Sequence, residues 1–157
     1  MTDNQVKFWL NRAFYLEKKV KAFKECVEQA QARAEGLSIC YEGNDSSKSL
    51  GTENSKEKAL LKLAEKIEKY RQVEDELSEI SDEIELAISL LDNDELEAVL
   101  THRYILCKTI EKTAEAMNYS ERTIKNKQKQ AVEKIKYILE NNEIFKNSAL
   151  NCLVLPS

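Results

Sequence analysis

Apolar residues in the first third of the chain fall at Val6, Trp9, Ala13, Leu16, Val20, Phe23, Val27, Ala30 and Ala34, in steps that alternate between three and four. That spacing is the seam of a coiled coil, narrower than the stripe of a general amphipathic helix. It predicts a helix that starts after Thr2 or Asp3 and ends near Gly36, a residue suited to a left-handed C-cap. About 32 residues at a rise of ~1.5 Å would make a rod of roughly 48 Å. Residues 37–55 lose the pattern: Gly43, Asn44, Asp45, Ser46, Ser47 and Gly51 favour a surface loop, and Ser55 is placed to cap the next helix. A second seam then runs through Leu60, Leu63, Ile67, Tyr70, Val73, Leu77, Ile80, Ile84, Ala87 and Leu91. It predicts a helix from about Lys56 to Leu91, with a stammer at Ile67–Tyr70–Val73 that would overwind the coil locally. Two rods joined by one loop predict a long antiparallel helical hairpin. The residues of both seams, Trp9 and Tyr70 included, are expected in its core, which is thin enough to favour self-association.

Beyond residue 91 the pattern shortens. Asp92–Asn93–Asp94 form a turn and cap, and Glu95 and Glu97 sit in a first helical turn, where anions are favoured. A helix over about 94–106 would bury Leu96, Val99, Leu100 and Tyr104, with a break at Cys107–Lys108. Thr109 would cap a short helix, Ile110–Met117, facing inward through Ile110, Thr113, Ala114 and Met117. Asn118–Tyr119 turn the chain, and Ser120 caps a last strong helix reaching about Leu139. Three helices in about 46 residues, the last two joined by a tight turn, are the arrangement of a helix-turn-helix module. The expected fold is therefore all-α: a helical hairpin over 1–91 with a loop at 37–55, a helix-turn-helix domain over 92–140, and a tail over 141–157. The apolar end of the tail would dock on the hairpin or on a second chain.

Composition supports long, exposed helices, with 42 % apolar residues, 33 % charged, three glycines and one proline. No stretch approaches the roughly 20 apolar residues that span a bilayer. Asn11, Arg12 and Glu17 interrupt any signal-peptide core at the start. The expectation is a cytoplasmic protein without a membrane partner. Cys26, Cys40, Cys107 and Cys152 are widely spaced and His102 is the single histidine, so reduced thiols are expected rather than a zinc site. His102 itself is expected to be an ordinary exposed histidine. No glycine-rich phosphate loop and no nucleophile–base set is present, so neither an enzyme nor a cofactor is expected.

Charge changes the picture more. The chain carries a net −4, yet residues 119–139 hold six cations (Arg122, Lys125, Lys127, Lys129, Lys134, Lys136) against Glu121 and Glu133. Residues 74–97 are the acidic counterpart. A chain polarised in this way presents one end to a polyanion.

Residues 103–135, RYILCKTIEKTAEAMNYSERTIKNKQKQAVEKI, resemble the fourth region of sigma factors, which reads the promoter −35 element. The likeness rests on Arg103–Tyr104, Thr109, Thr113–Ala114, Met117, Ser120, Thr123–Ile124, Lys125, Ala131–Val132 and Lys134–Ile135, and needs no gap. It covers about a fifth of the chain. Thr113 departs from the Ile or Val usual there, and the sequence leaves no room for the region that binds the −10 element, so a complete sigma factor is not expected. A hairpin followed by this module is similar to a small phage and prophage family that overlaps with late-gene regulators of the ArpU and RinA kind.

The resemblance implies a sequence-specific DNA-binding transcription regulator, phage or prophage encoded. Its partner would be double-stranded DNA, and the hairpin, whose thin core favours self-association, would supply either homodimerisation or a handle for RNA polymerase. On the last strong helix, Glu121, Arg122, Lys125, Asn126 and Lys129 form one outward stripe opposite Ile124, Ala131 and Ile135. Arg122 suits guanine, Asn126 adenine and Glu121 the cytosine amino group. Lys125 and Lys129 suit phosphate, and the amides at the Ser120 and Thr109 caps could meet phosphates too. Glu121 has a second reading, as an anion favoured by the helix dipole. The whole stripe has one as well, as a solvated helix face. Two other functions fit the same layout: a DNA-packaging subunit of the small-terminase kind, and a helix-turn-helix module that binds protein.

Overall fold

A computed structural model describes residues 1–39 and 50–153. It is all-α, with no strand among the described residues. The elements are α1 (Asp3–Leu10), α2 (Arg12–Ile39), α3 (Leu50–Ser89), α4 (Asp94–Leu100) continued by a π-helical turn (Thr101–Ile105), α5 (Ile110–Met117), α6 (Glu121–Asn141), a 3₁₀ turn (Glu143–Phe145) and α7 (Lys146–Leu153). The chain forms two compact units, one of Leu16–Leu77 and one of Met1–Tyr15 together with the chain from Ser78 onward.

The first unit is the hairpin of α2 and α3, which pack against each other. They run antiparallel: Glu28 lies near Tyr70, and Ala30 and Arg33 share a groove with Ala59, Lys62 and Lys66. Ala30, Ala34 and Val73 are buried, whereas Val20, Phe23, Val27, Leu63, Ile67 and Tyr70 are only half-buried. One helix can cover one side of another and no more, so a two-helix seam stays partly wet. Leu60, expected on the seam, is 48 % exposed, and its neighbour Leu61 is 65 % exposed; Ala59 is the half-buried residue at that level. α3 begins at Leu50, not near Lys56, so Ser55 lies inside the helix instead of capping it. Once Lys56–Leu61 nucleate a helix, each further residue adds a hydrogen bond, and propagation carries it back past Ser55. The remainder of the loop expected over 37–55, residues 40–49, lies outside the described residues, as do residues 154–157 of the tail.

The second unit is built around α6. Its buried positions, Ile124, Ala131, Val132, Ile135 and Leu139, lie at helical spacing. α4, α5, α1 and α7 all pack on this helix. The rod expected from Asp3 to Gly36 is interrupted at Asn11, whose N–H is shared between the carbonyls of Lys7 (3.0 Å) and Phe8 (3.1 Å). The seam thus divides: Val6, Trp9 and Leu10, fully buried, belong to the unit that contains α6. The compact units therefore part after Tyr15 and before Ser78, and not at residue 91. The physical reason is the partner available to each stretch. Trp9 meets Phe145 edge-on, with centroids 5.9 Å apart, and its Nε1 donates to Ser148 Oγ at 3.3 Å. On the hairpin, by contrast, the large seam residues Phe23, Ile67 and Tyr70 stay half-buried. Arg12 closes the interruption. Its Nε donates to the Trp9 carbonyl at 3.0 Å, its Nη2 to Glu83 at 2.7 Å, and its guanidinium lies 4.5 Å from the centre of the Trp9 ring. α1 runs antiparallel to α6, with the Met1 amino group paired to Glu140 at 2.6 Å and Lys7 and Asn11 beside Lys125 and Lys129.

Candidate nucleic-acid interface

α5, the turn after it and the start of α6 form where the sequence places them. Thr109 caps α5, its hydroxyl accepting from the Lys112 amide at 3.2 Å. α5 ends in a Schellman arrangement: Asn118 takes the left-handed conformation, Tyr119 N–H reaches the Ala114 carbonyl at 3.0 Å and Asn118 N–H the Glu115 carbonyl at 3.3 Å. Asparagine tolerates this φ better than most residues, which explains a turn made without glycine. Ser120 then caps α6, accepting from the Thr123 amide at 3.2 Å. Val99, Ala114 and Ile124 make the buried centre, flanked by Ile110, Met117 and Tyr119. Thr113 is fully buried, and its hydroxyl donates to the Thr109 carbonyl at 2.8 Å, so the polar atom costs little. The preceding helix, expected to be α-helical to about Leu106, widens into the π turn from Thr101, with Leu106 N–H bonded to the Thr101 carbonyl at 2.9 Å. Cys107, at φ 51°, ends it.

The predicted outward stripe of α6 is outward. Glu121, Arg122, Lys125, Asn126 and Lys129 are all exposed, as are Thr109 and Ser120. They do not act as one set. Glu121 lies 3.8 Å from Lys125 as an exposed i,i+4 pair, which suits its reading as a dipole-favoured anion. Lys125, Asn126 and Lys129 line a depression of about 550 Å³. Lys7 and Asn11 of α1 and Arg103 of the π turn complete it. Arg122 lies one turn nearer the helix start and Thr109 at the N-cap of α5, outside that lining. Lys7 and Asn11 had no signal in the sequence, since more than a hundred residues separate them from α6. Arg103 carried the resemblance, but nothing marked it as part of the same surface.

Two other polar residues of α6, Lys127 and Gln128, tie the helix to the rest of the unit. Lys127 forms an ion pair with Glu95, which also accepts from Tyr119 Oη at 2.8 Å, and the Lys127 ammonium lies 5.2 Å from the Tyr119 ring centre. The bond from Lys127, and then that from Tyr119, hold the Glu95 carboxyl below its ordinary range, and the bond to Glu95 raises Lys127. Gln128 donates to Tyr104 Oη at 2.8 Å, beneath the depression. Arg103 Nη1 donates to the Lys108 carbonyl, and its buried Nε finds no hydrogen-bond partner among the described residues. His102 is half-buried, with Lys108 Nζ 3.1 Å from its Nδ1. Burial, and then the Lys108 charge, keep the imidazole below its usual range, which favours the neutral ring.

A cationic, amide-bearing face on a rigid capped helix can bind a polyanion and offer hydrogen bonds to base edges. Among the described residues no group of His, Cys, Asp and Glu is arranged to hold a metal ion. No helix of the described chain is long and apolar enough to cross a membrane. No protein-family model, no curated protein and no solved structure matches the chain.

Proposed function

We propose that the protein is a sequence-specific DNA-binding regulator of transcription, phage or prophage encoded, that reads double-stranded DNA with the first half of α6. The observation that carries this reading is the division of that helix. Ile124, Ala131 and Ile135 are fully buried, while Arg122, Lys125, Asn126 and Lys129 stand exposed on the other side of a capped N-terminus. Residues near the start of such a helix reach base edges in the major groove. Arg122 and Asn126 contact bases in this reading, and Lys125 and Lys129 contact phosphate.

Selection of DNA fragments from the source genome at ~150 mM salt, where weak electrostatic binding is suppressed, tests it. Wild type is expected to enrich one short motif. Arg122→Ala is expected to lose about 1–3 kcal/mol on that motif and to relax one base position. Unchanged affinity and preference in Arg122→Ala would show that the stripe is not the reader.

The hairpin is the proposed dimerisation element, with RNA polymerase as the partner the dimer acts on. Its support is the half-buried seam together with the exposure of Leu60 and Leu61 in a unit with few buried residues among those described. A second copy laid along that seam would remove apolar surface from water at about 25 cal/mol per Å². Light scattering on the full chain is expected to give a dimer that Leu60→Glu/Leu61→Glu dissociates. A monomeric wild type would remove the dimer from the proposal, and a ring-sized oligomer would favour a packaging subunit.

A further inference from the structure

The least expected feature of the α6 surface is that α1 lies against it. Lys7 projects from the last turn of α1, one residue past fully buried Val6, and lines the same depression as Arg103, Lys125 and Lys129. Four cations from three elements converge there, and among the described residues that line it none is a carboxylate. The arrangement is not a by-product of a basic chain, since the protein is net acidic. Among the described residues, Lys125 alone of the four has a carboxylate beside it, the exposed Glu121 at 3.8 Å, which lies outside the lining, whereas Lys127, elsewhere on α6, is closely paired with Glu95. Converging like charges repel, and the repulsion is reduced by distance and by salt. Packing remote from the charges holds them together: Trp9 and Leu10 fix α1, and the Met1–Glu140 pair fixes its far end. Asn11, at the end of α1, adds an amide to the same wall.

We infer that α1 is a phosphate clamp: Lys7, with Asn11 and Arg103 in the same lining, binds the sugar–phosphate backbone flanking the base pairs read by α6. This rests on the proposed DNA reading and adds to it a second, sequence-independent contact supplied by the N-terminal helix. The chemistry suits backbone and not base edges, because an ammonium on a flexible stem is a point charge without the planar fork that distinguishes one base from another. The clamp contributes affinity and register, and Arg122 and Asn126 contribute preference.

The test compares wild type, Lys7→Gln, Lys24→Gln and Arg122→Ala, each full-length, by fluorescence anisotropy on a selected duplex and on a scrambled duplex over a series of salt concentrations. Lys7 and Lys24 are both exposed and lie on helices, but only Lys7 lines the depression. Lys7→Gln is expected to weaken binding to both duplexes by the same factor and to reduce the slope of log K against log salt by about 0.9, the value of one lost phosphate contact. Its preference for the selected duplex should be unchanged, and Lys24→Gln should match wild type. Helicity and melting temperature, measured on the same samples, are expected to stay at wild-type values, because the Lys7 side chain is exposed. An unchanged slope in Lys7→Gln, or an equal fall in Lys24→Gln, overturns the clamp and leaves the DNA reading standing. Loss of preference in Lys7→Gln would make it a base reader and also overturns the clamp. Failure of wild type to bind either duplex overturns both.

Discussion

Trp9→Ala is expected to cost about 3–5 kcal/mol of folding stability, the range for emptying a buried aromatic site. Trp9 has no exposed surface, meets Phe145 edge-on and holds a hydrogen bond to Ser148. Its ring also lies under the Arg12 guanidinium, which is itself paired with Glu83, so the substitution removes a cation–π contact as well. A domain of this size has a total stability of about 5–15 kcal/mol, so the loss is a large fraction of it. The effect should appear far from the substitution in sequence. α1, the second half of α6 and α7 share one core, and amide protection along residues 132–139 should fall together with that of α1. Urea denaturation followed by circular dichroism measures the loss, and hydrogen exchange locates it. A cost below about 1 kcal/mol, the ordinary effect of a single substitution, with α6 amides still protected, would mean that α1 does not pack on this unit. A substitution in the wetter hairpin seam, such as Leu61→Ala at a position 65 % exposed, should cost far less.

Ile124→Ala is the second large effect, about 2–5 kcal/mol. Ile124 is fully buried and ties α6 to α4 and α5 through Val99 and Ala114. The cavity it leaves cannot collapse easily, because the Ser120 cap and the left-handed turn at Asn118 hold the start of α6 in place. Its consequence for DNA differs in kind from that of Arg122→Ala. Ile124→Ala should lower the fraction of protein competent to bind, while the molecules that remain folded keep the wild-type preference. Arg122→Ala should change the preference with the fold intact. Thermal melts beside the fragment selection separate the two. If Ile124→Ala melted like wild type, the packing of α6 on α4 and α5 would be wrong.

Helices α5 and α6 and the turn between them were legible because their information is local. Thr109 and Ser120 precede helices as capping residues do, Val99, Ala114 and Ile124 sit at core spacing, and Asn118 stands where a left-handed residue is required. Each of these depends on neighbours within a few residues. The outward stripe of α6 was legible for the same reason, as the complement of a buried stripe on one helix. The path of the chain between Thr2 and Arg12 was not. A seam repeating every 3.5 residues states which positions seek burial, and it says nothing about what buries them. Val6, Trp9 and Ala13 satisfy the pattern equally well on a hairpin or on α6. Asn11 carries no proline or glycine to announce the interruption, and its cost is offset by Arg12, whose Nε takes up the Trp9 carbonyl.

The sequence by itself therefore determined α5 and α6, the caps and the turn that join them, the face each of the two would bury, and the concentration of cations on α6, since all of these come from backbone preferences and side-chain spacing along one segment. Only the tertiary structure decided that Trp9 would lodge against Phe145, that the N-terminal helix would join the unit containing α6, and that Lys7, Arg103, Lys125 and Lys129 would face one depression. Those outcomes depend on shape and burial between segments far apart in the chain, where the free energy is set by the complementarity of the surfaces and not by the pattern of any one of them.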